Sequence, residues 1–291
     1  MQPVDLNIAW PFTDQDNWRD AAKGDSEHLL YSRNTPQPIV AEFEHRMAQL
    51  EQSEKAVSFS SGMAAIYATL FTLCKPGTKV IAFDAIYGGS YSIIKHNLPK
   101  WGVATELFLH SDQERFCAAI EGADIVYLES PSNPMLLQVD IKKICKLAQQ
   151  AGATVICDNT VATPYAQNPI TLGADVVVHS ATKFLGGHVD ALAGVVCCTA
   201  ATAKALCEQR ELIGSILAPQ SAHLVLRGMQ TFELRMQRAT QNAQQLARLL
   251  ANHNQVRQIF SADDVALLSF DIGTAAAVRV LLDNITPLVM A

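Results

Sequence analysis

Between Lys79 and His179 the chain alternates strand-like and helix-like segments, and this alternation restricts the fold more than any other feature of its 291 residues. The strand-like runs are Lys79–Phe83, Glu106–Leu109, Ile125–Glu129, Thr154–Asp158 and Val176–His179. Helical patterns fall near Ser90–Asn97, Gln113–Ile120 and Ile141–Ala151. That order predicts β-α-β units with right-handed crossovers, a mostly parallel sheet, and ligands at the carboxyl ends of its strands. Polar clusters fall at four of those ends: Tyr87-Gly88-Gly89-Ser90, Glu129-Ser130-Pro131-Ser132-Asn133-Pro134, Asp158-Asn159-Thr160 and Ser180-Ala181-Thr182-Lys183.

The last cluster belongs to the stretch Ala174–Gly187, where a β-branched run, Val176–Val178, lies between Gly173 and Gly186-Gly187 and reads as a buried strand. Ser180 and Thr182 flank Lys183, so two hydroxyls and an amine leave the core on one turn and could hold an anion. In a desolvated pocket a lysine loses proton affinity and can add to a carbonyl as a Schiff base. A solvated surface lysine has the same spacing. Asp158 is a carboxylate at the end of a buried strand and needs a partner, either a backbone turn or a protonated ring nitrogen.

Upstream, Ile39–Glu51 repeats apolar residues at helical spacing (Val40, Phe43, Met47, Leu50), and a short strand, Ala56–Phe59, follows. Ser60-Ser61-Gly62-Met63 then opens a helix whose free N–H groups and positive dipole end suit a phosphate; a helix with an ordinary cap would look the same. Residues 1–38 lack periodicity and scatter Trp10, Phe12 and Trp18 among prolines and acids, which reads as an extended arm that docks elsewhere. Within it, Tyr31-Ser32-Arg33 sets a phenol beside a guanidinium, a pair able to bind phosphate or to sit in a Pro-rich turn.

Composition narrows the function classes. A chain that is 49% hydrophobic can bury a large core. With 22 Lys+Arg against 28 Asp+Glu and no dense basic run, neither a nucleic-acid nor an anionic-membrane footprint is expected. The longest small-apolar run, Ala191–Ala203, is too short to span a bilayer and reads as strand then helix. Seven irregularly spaced cysteines without a C-x-x-C pair suggest reduced thiols, and the first residues carry no secretory pattern, so a cytoplasmic protein without a bound metal is expected.

Taken together, Tyr31-Ser32-Arg33, Ser61-Gly62-Met63, Tyr87-Gly88-Gly89, Glu129 to Pro134, Asp158-Asn159-Thr160 and His179 to His188 resemble, in order, the Cys/Met-metabolism family of pyridoxal-phosphate enzymes. These are the trans-sulfuration enzymes: cystathionine γ-synthase, the cystathionine lyases, methionine γ-lyase and the homoserine-ester sulfhydrylases. The resemblance implies a fold type I (aspartate-aminotransferase-like) α/β architecture, with helices on both faces of the sheet and an additional C-terminal α/β domain. It implies that Lys183 holds pyridoxal 5'-phosphate as a Schiff base and then acts as the base at the substrate's α-carbon. Asp158 would keep the pyridine nitrogen protonated, Tyr87 would stack on the ring and join in proton transfer, and Asn133 would lie near the 3-oxygen. The N–H groups of Gly62 and Met63, with the Ser180 and Thr182 hydroxyls, would hold the phosphate. Tyr31 and Arg33 resemble residues that reach the phosphate of a neighbouring subunit, so a homodimer or homotetramer is implied, acting on an amino acid by β/γ-elimination or γ-replacement.

The implied division is an arm over 1–38, a cofactor-binding domain over 39–215 and a shortened C-terminal domain over 216–291. Three departures qualify it. Pro36-Gln37-Pro38 stands where the family has Asn-Pro-Thr, and Gly89 stands where methionine γ-lyases carry a cysteine. Helix Gln220–His253, strand Val256–Phe260, Val265–Ile272 and helix Ala275–Leu282 are expected, but the sequence stops at Pro287–Ala291 with no residue to match the family arginine that pairs with the substrate carboxylate. The alternative expectation is therefore a cofactor-binding relative with little or no turnover.

Overall fold

The computed structural model describes residues 2–23 and 28–285. Seven strands, β1 (Lys55–Phe59), β2 (Lys79–Phe83), β3 (Ala104–Phe108), β4 (Ile125–Glu129), β5 (Thr154–Asp158), β6 (Val176–Ser180) and β7 (Gly194–Cys198), form one sheet in the order β1-β7-β6-β5-β4-β2-β3. Pairing is parallel from β6 across to β3, as the alternation predicts; β7 runs antiparallel to both its neighbours, β1 and β6.

Helices cover both faces: α1 (Gln15–Lys23) lies in the arm, and α2 (Pro38–Glu51), α3 (Gly62–Leu73), α4 (Gly88–Ser92), α5 (Gln113–Ala119), α6 (Ile141–Ala151), α7 (Thr163–Ala166), α8 (Ala200–Ile213) and α9 (Pro219–Met229) follow it. One core joins α2, α5, α6 and α9 to the sheet face that carries Val126, Val155, Val177 and Val195; the other joins α3 and α8 to the face that carries Tyr127, Ile156, Val178 and Val196. The period-2 alternation of a strand buried on both sides produces this division. α6 illustrates the local logic: Asp140 accepts from the Lys143 N–H at 2.9 Å to cap its start, Gly152 at φ 73° ends it, and Ile141, Ile144, Cys145 and Ala148 form its buried stripe. Each isoleucine so buried contributes about 1.5–3 kcal/mol.

Beyond the sheet, α10 (Phe232–Ala251), β8 (Gln258–Ser261), β9 (Leu268–Asp271) and α11 (Ala275–Asn284) follow, with β8 and β9 paired antiparallel. The single helix expected over Gln220–His253 is two. Thr231 leaves helical geometry at φ −113°, and the Gly228 carbonyl accepts from the Thr231 N–H and from the Arg235 guanidinium, closing α9 before α10 begins. The expected extended arm also differs, because α1 forms within it and Ala9 bridges Tyr31, folding the arm back on itself. The expected ending at Pro287–Ala291 lies outside the described residues. Among those described, no helix is long and apolar enough to cross a membrane, and no group of metal-binding side chains is present.

Candidate active site

The four polar clusters converge because β6, β5, β4 and β2 are successive neighbours and point the same way. Asp158 stands opposite Glu129 in the β4–β5 register, on the face of the sheet that α3 covers. Its Oδ1 accepts from the Thr160 N–H at 3.0 Å. Burial drives its carboxyl above the ordinary range against the opposing pull of Thr160, His179 and Tyr127. Glu129, also buried, accepts from the Tyr87 N–H at 2.6 Å and the Asn133 N–H at 3.0 Å. Desolvation and then the adjacent Asp158 push it up to about 8. Two buried carboxyl groups side by side resist double ionisation, and a cation arriving in front of them would reverse that resistance.

The Lys183 turn is tightly built. The Lys183 N–H donates to Ser180 O at 3.2 Å, the Gly187 N–H to Lys183 O at 2.7 Å, and Thr182 Oγ1 exchanges hydrogen bonds with the Ala193 N–H (3.0 Å) and O (3.3 Å). Beside it, Ser61 caps α3 by accepting from the Ala64 N–H at 3.1 Å, which leaves the N–H groups of Gly62 and Met63 as the open first-turn donors. A Cβ on Gly62 would lie 2.7 Å from the Cβ of Ser180. The helix start and the Lys183 turn therefore share one cradle that only glycine permits, with free donors at a positive helix end. Such a cradle fits a phosphate, and the buried Asp158 carboxyl fits a protonated ring nitrogen.

Not every expected group has the expected setting. Lys183 is exposed, not desolvated; Tyr87, at 48% exposure, and Asn133 are exposed at the neighbouring strand ends. Tyr31 and Arg33 are not brought to the α3 start of their own chain. The Arg33 guanidinium lies over the Tyr31 ring, 5.5 Å from its centroid, and the Ser32 N–H donates to Ile8 O at 2.8 Å. Gly89 packs against Tyr87 and Met63, and a Cβ there would lie 2.4 Å from the Met63 sulfur.

Two contributors escaped the sequence reading. Glu129 was one residue of a motif and is, in the structure, the clamp on two loops at once. Arg235, on α10, donates to Phe184 O (2.8 Å), Leu185 O (3.2 Å) and Gly228 O (3.0 Å), and so fixes the backbone just after Lys183. Nothing local announces an arginine that acts 50 residues away.

The family model for Cys/Met metabolism PLP-dependent enzymes matches residues 2–283. L-methionine gamma-lyase of Pseudomonas putida is 41% identical over 239 residues, 81% of this chain and 60% of that protein. Cystathionine gamma-lyase of Bacillus subtilis is 34% identical over 96% of this chain and 78% of its own length. Among solved structures, the cystathionine gamma synthase of Xanthomonas oryzae pv. oryzae in complex with aminoacrylate and cysteine superposes with a TM-score of 0.90 at 28% identity, covering 99% of this chain and 77% of that one. Against the methionine gamma-lyases this chain spans between 58% and 65% of the relatives' length.

Proposed function

Because the chain belongs to the Cys/Met metabolism family of pyridoxal-phosphate-dependent enzymes, we propose that it catalyses β- or γ-elimination, or γ-replacement, on cystathionine, homoserine esters or related sulfur amino acids, with Lys183 at the centre. The observation that carries the reading is the convergence of Tyr87, Asn133, Asp158 and Lys183 at four adjacent strand ends, next to an open helix start.

The groups described above fit pyridoxal phosphate, which when bound supplies an electron sink for the negative charge left at the substrate's α-carbon. Lys183 would hold the cofactor through its Nζ, and the same amine would serve as the base at the substrate's α-carbon. Asp158 would keep a proton on the ring nitrogen, and a positive ring facing the Asp158–Glu129 pair would lower the proton affinity that burial raises. The N–H groups of Gly62 and Met63 and the hydroxyl of Ser180 would hold the phosphate, joined by the Thr182 hydroxyl once it turns from Ala193 O. Tyr87 would stack on the ring and take part in proton transfer, and Asn133 would lie near the 3-oxygen.

Tyr31 and Arg33, exposed on an arm that folds back at Ala9, reach the phosphate of a second copy, which makes the working form a homodimer or homotetramer. The arm is 1–38, the cofactor-binding body 39–215, and the remainder a second, smaller domain. Relatives named for methionine and for cystathionine both match, while Gly89 argues against the methionine branch, so the substrate is a matter for assay.

The test is the visible absorption of the purified protein, alone and with L-cystathionine, L-methionine, O-succinyl-L-homoserine or L-cysteine. A visible absorption band from a cofactor bound through Lys183, lost in Lys183→Ala and perturbed by one amino acid with release of keto acid or a new thioether, is expected. A band that survives Lys183→Ala removes the cofactor assignment; a band that no amino acid perturbs removes the catalytic one.

A further inference from the structure

Glu51 is the last residue of α2, and a carboxylate is poorly suited to that position on two counts. The carbonyl end of a helix carries the negative end of its dipole, and the side chain is fully buried, at 0% exposure. A buried anion costs several kcal/mol unless it is paired. Three side chains offset this. His179 Nε2 lies 2.6 Å and Asn159 Nδ2 2.7 Å from Glu51 Oε1, and Asn168 Nδ2 lies 3.5 Å from Oε2. His179 and Asn159 are themselves fully buried. The carboxylate selects the imidazole form with a proton on Nε2, and Nδ1 is left without a partner among the described residues.

Stability alone does not account for such a cluster, since apolar groups of similar volume generally serve a core as well or better. Its location does. Asn159 directly follows Asp158, and His179 directly precedes Ser180 and the turn to Lys183. Asn159 is held from its other side by Gln167, which accepts through its carbonyl at 3.0 Å and donates through Nε2 to Asn159 Oδ1 at 3.0 Å; the Asn159 N–H donates to Val178 O at 3.0 Å. Along β5 and β6, Asp158 and Ser180 face α3, while Cys157 belongs to the core on the α2 side. Glu51 therefore grips, from behind the sheet, the two strand ends whose front carries the candidate catalytic groups.

We propose that Glu51 is a positioning residue, which through Asn159 and His179 fixes the ends of β5 and β6 so that Asp158 and Lys183 meet one cofactor in a single orientation. The inference rests on the cofactor reading of Asp158 and Lys183 given above. It also explains why a polar network lies on the side of the sheet away from the ligand.

The experiment compares holoprotein of the wild type, Glu51→Gln and His179→Leu for the dissociation constant of pyridoxal phosphate and for visible circular dichroism per bound cofactor, which reports the orientation of the ring. Far-ultraviolet circular dichroism monitors folding. Both variants are expected to fold, to bind the cofactor about tenfold or more weakly, the usual effect of removing a group that orients a ligand-holding residue, and to lose at least half of the visible signal per bound cofactor. Wild-type affinity and wild-type visible dichroism in the two variants would overturn the inference. So would failure of both to fold, which would make the cluster a folding element, or wild-type behaviour in His179→Leu when Glu51→Gln does not fold. Lys183→Ala, run in parallel, separates the two levels: a wild type without a lysine-dependent visible band removes the cofactor reading itself, whereas a lysine-dependent band together with wild-type affinity and dichroism in Glu51→Gln and His179→Leu removes only the role of Glu51.

Discussion

Replacing Glu129 by glutamine should flatten the pH dependence of stability of the cofactor-free protein. The folded-state carboxyl is pushed up from 4.5 to about 8 by burial and by Asp158. Between those values the folded protein retains a proton that the unfolded chain has released, so stability declines as pH rises, by about 1.4 kcal/mol per unit when one such group acts alone. From pH 5 to 7.5 the wild type should therefore lose about 3 kcal/mol from this group, and Asp158, raised in the same direction, adds to the slope. Glutamine cannot ionise, and its presence relieves Asp158 of a neighbouring charge. It has only one oxygen for the N–H groups of Tyr87 and Asn133, and its amide NH2 then faces the second donor, at a cost of about 1–3 kcal/mol. The two curves should cross: Glu129→Gln is the less stable protein at pH 5 and equals or exceeds the wild type near pH 7.5. Urea midpoints followed by far-ultraviolet circular dichroism, at one protein concentration and one ionic strength, read this directly. Parallel curves over that range would refute the claim that Glu129 is the proton-holding member of the pair.

Other perturbations follow from the same geometry. Gly62→Ala puts a methyl 2.7 Å from the Ser180 side chain and 3.0 Å from its Cα, so it should destabilise by about 1–3 kcal/mol and weaken cofactor retention, as a thermal melt and a cofactor titration would record; an unchanged titration would remove the cradle. Gly89→Cys meets the flexible Met63 side chain, and its destabilisation, about 1 kcal/mol, should shrink in the Met63→Ala background; strict additivity in the double-mutant cycle would deny the contact. Arg235→Met takes the guanidinium donor from the carbonyls of Phe184 and Leu185 and leaves Gly228 O with Thr231 alone, and should lower the melting temperature together with the rate at which stripped protein regains the visible band. Arg33→Ala should weaken cofactor retention in the assembled protein; unchanged retention and assembly would count against a role for the arm in a neighbour's site.

The sheet was legible because strands buried on both faces must be apolar throughout, and Val126, Val155, Val177 and their neighbours meet that requirement without help from distant residues. The positions of Asp158 and Lys183 were legible for the same reason, since each follows directly from such a strand. What the sequence concealed depends on contacts across long separations. Glu51 meets Asn159 and His179 across 108 and 128 residues, and no periodicity of α2 distinguishes it from a solvated glutamate. The break at Thr231 was hidden because the pattern of α9 and α10 continues through it, and only the Arg235 guanidinium reveals why the backbone turns. Lys183 was expected in a dry pocket, but dryness depends on what lies over the strand ends, and one chain's sequence does not encode that directly.

The antiparallel strand β7 sets the order in which this protein can become competent during synthesis. β1 leads into the α3 start, and β6 leads into the Lys183 turn, yet β1 and β6 do not touch; β7 lies between them, paired with Lys55–Phe59 on one side and Val176–Ser180 on the other. On a ribosome, the sheet that joins the strand before Gly62 to the strand before Lys183 is not continuous until Cys198 has emerged. The early strands β2 to β5 can pair as they appear, whereas the helix start made near the beginning must wait for a strand made some 140 residues later, a slow closure in a chain that otherwise builds from neighbours. A nascent chain stalled before Gly194 should hold most of its sheet and retain no cofactor, so quality control that senses the bound cofactor would in effect be sensing the insertion of one strand.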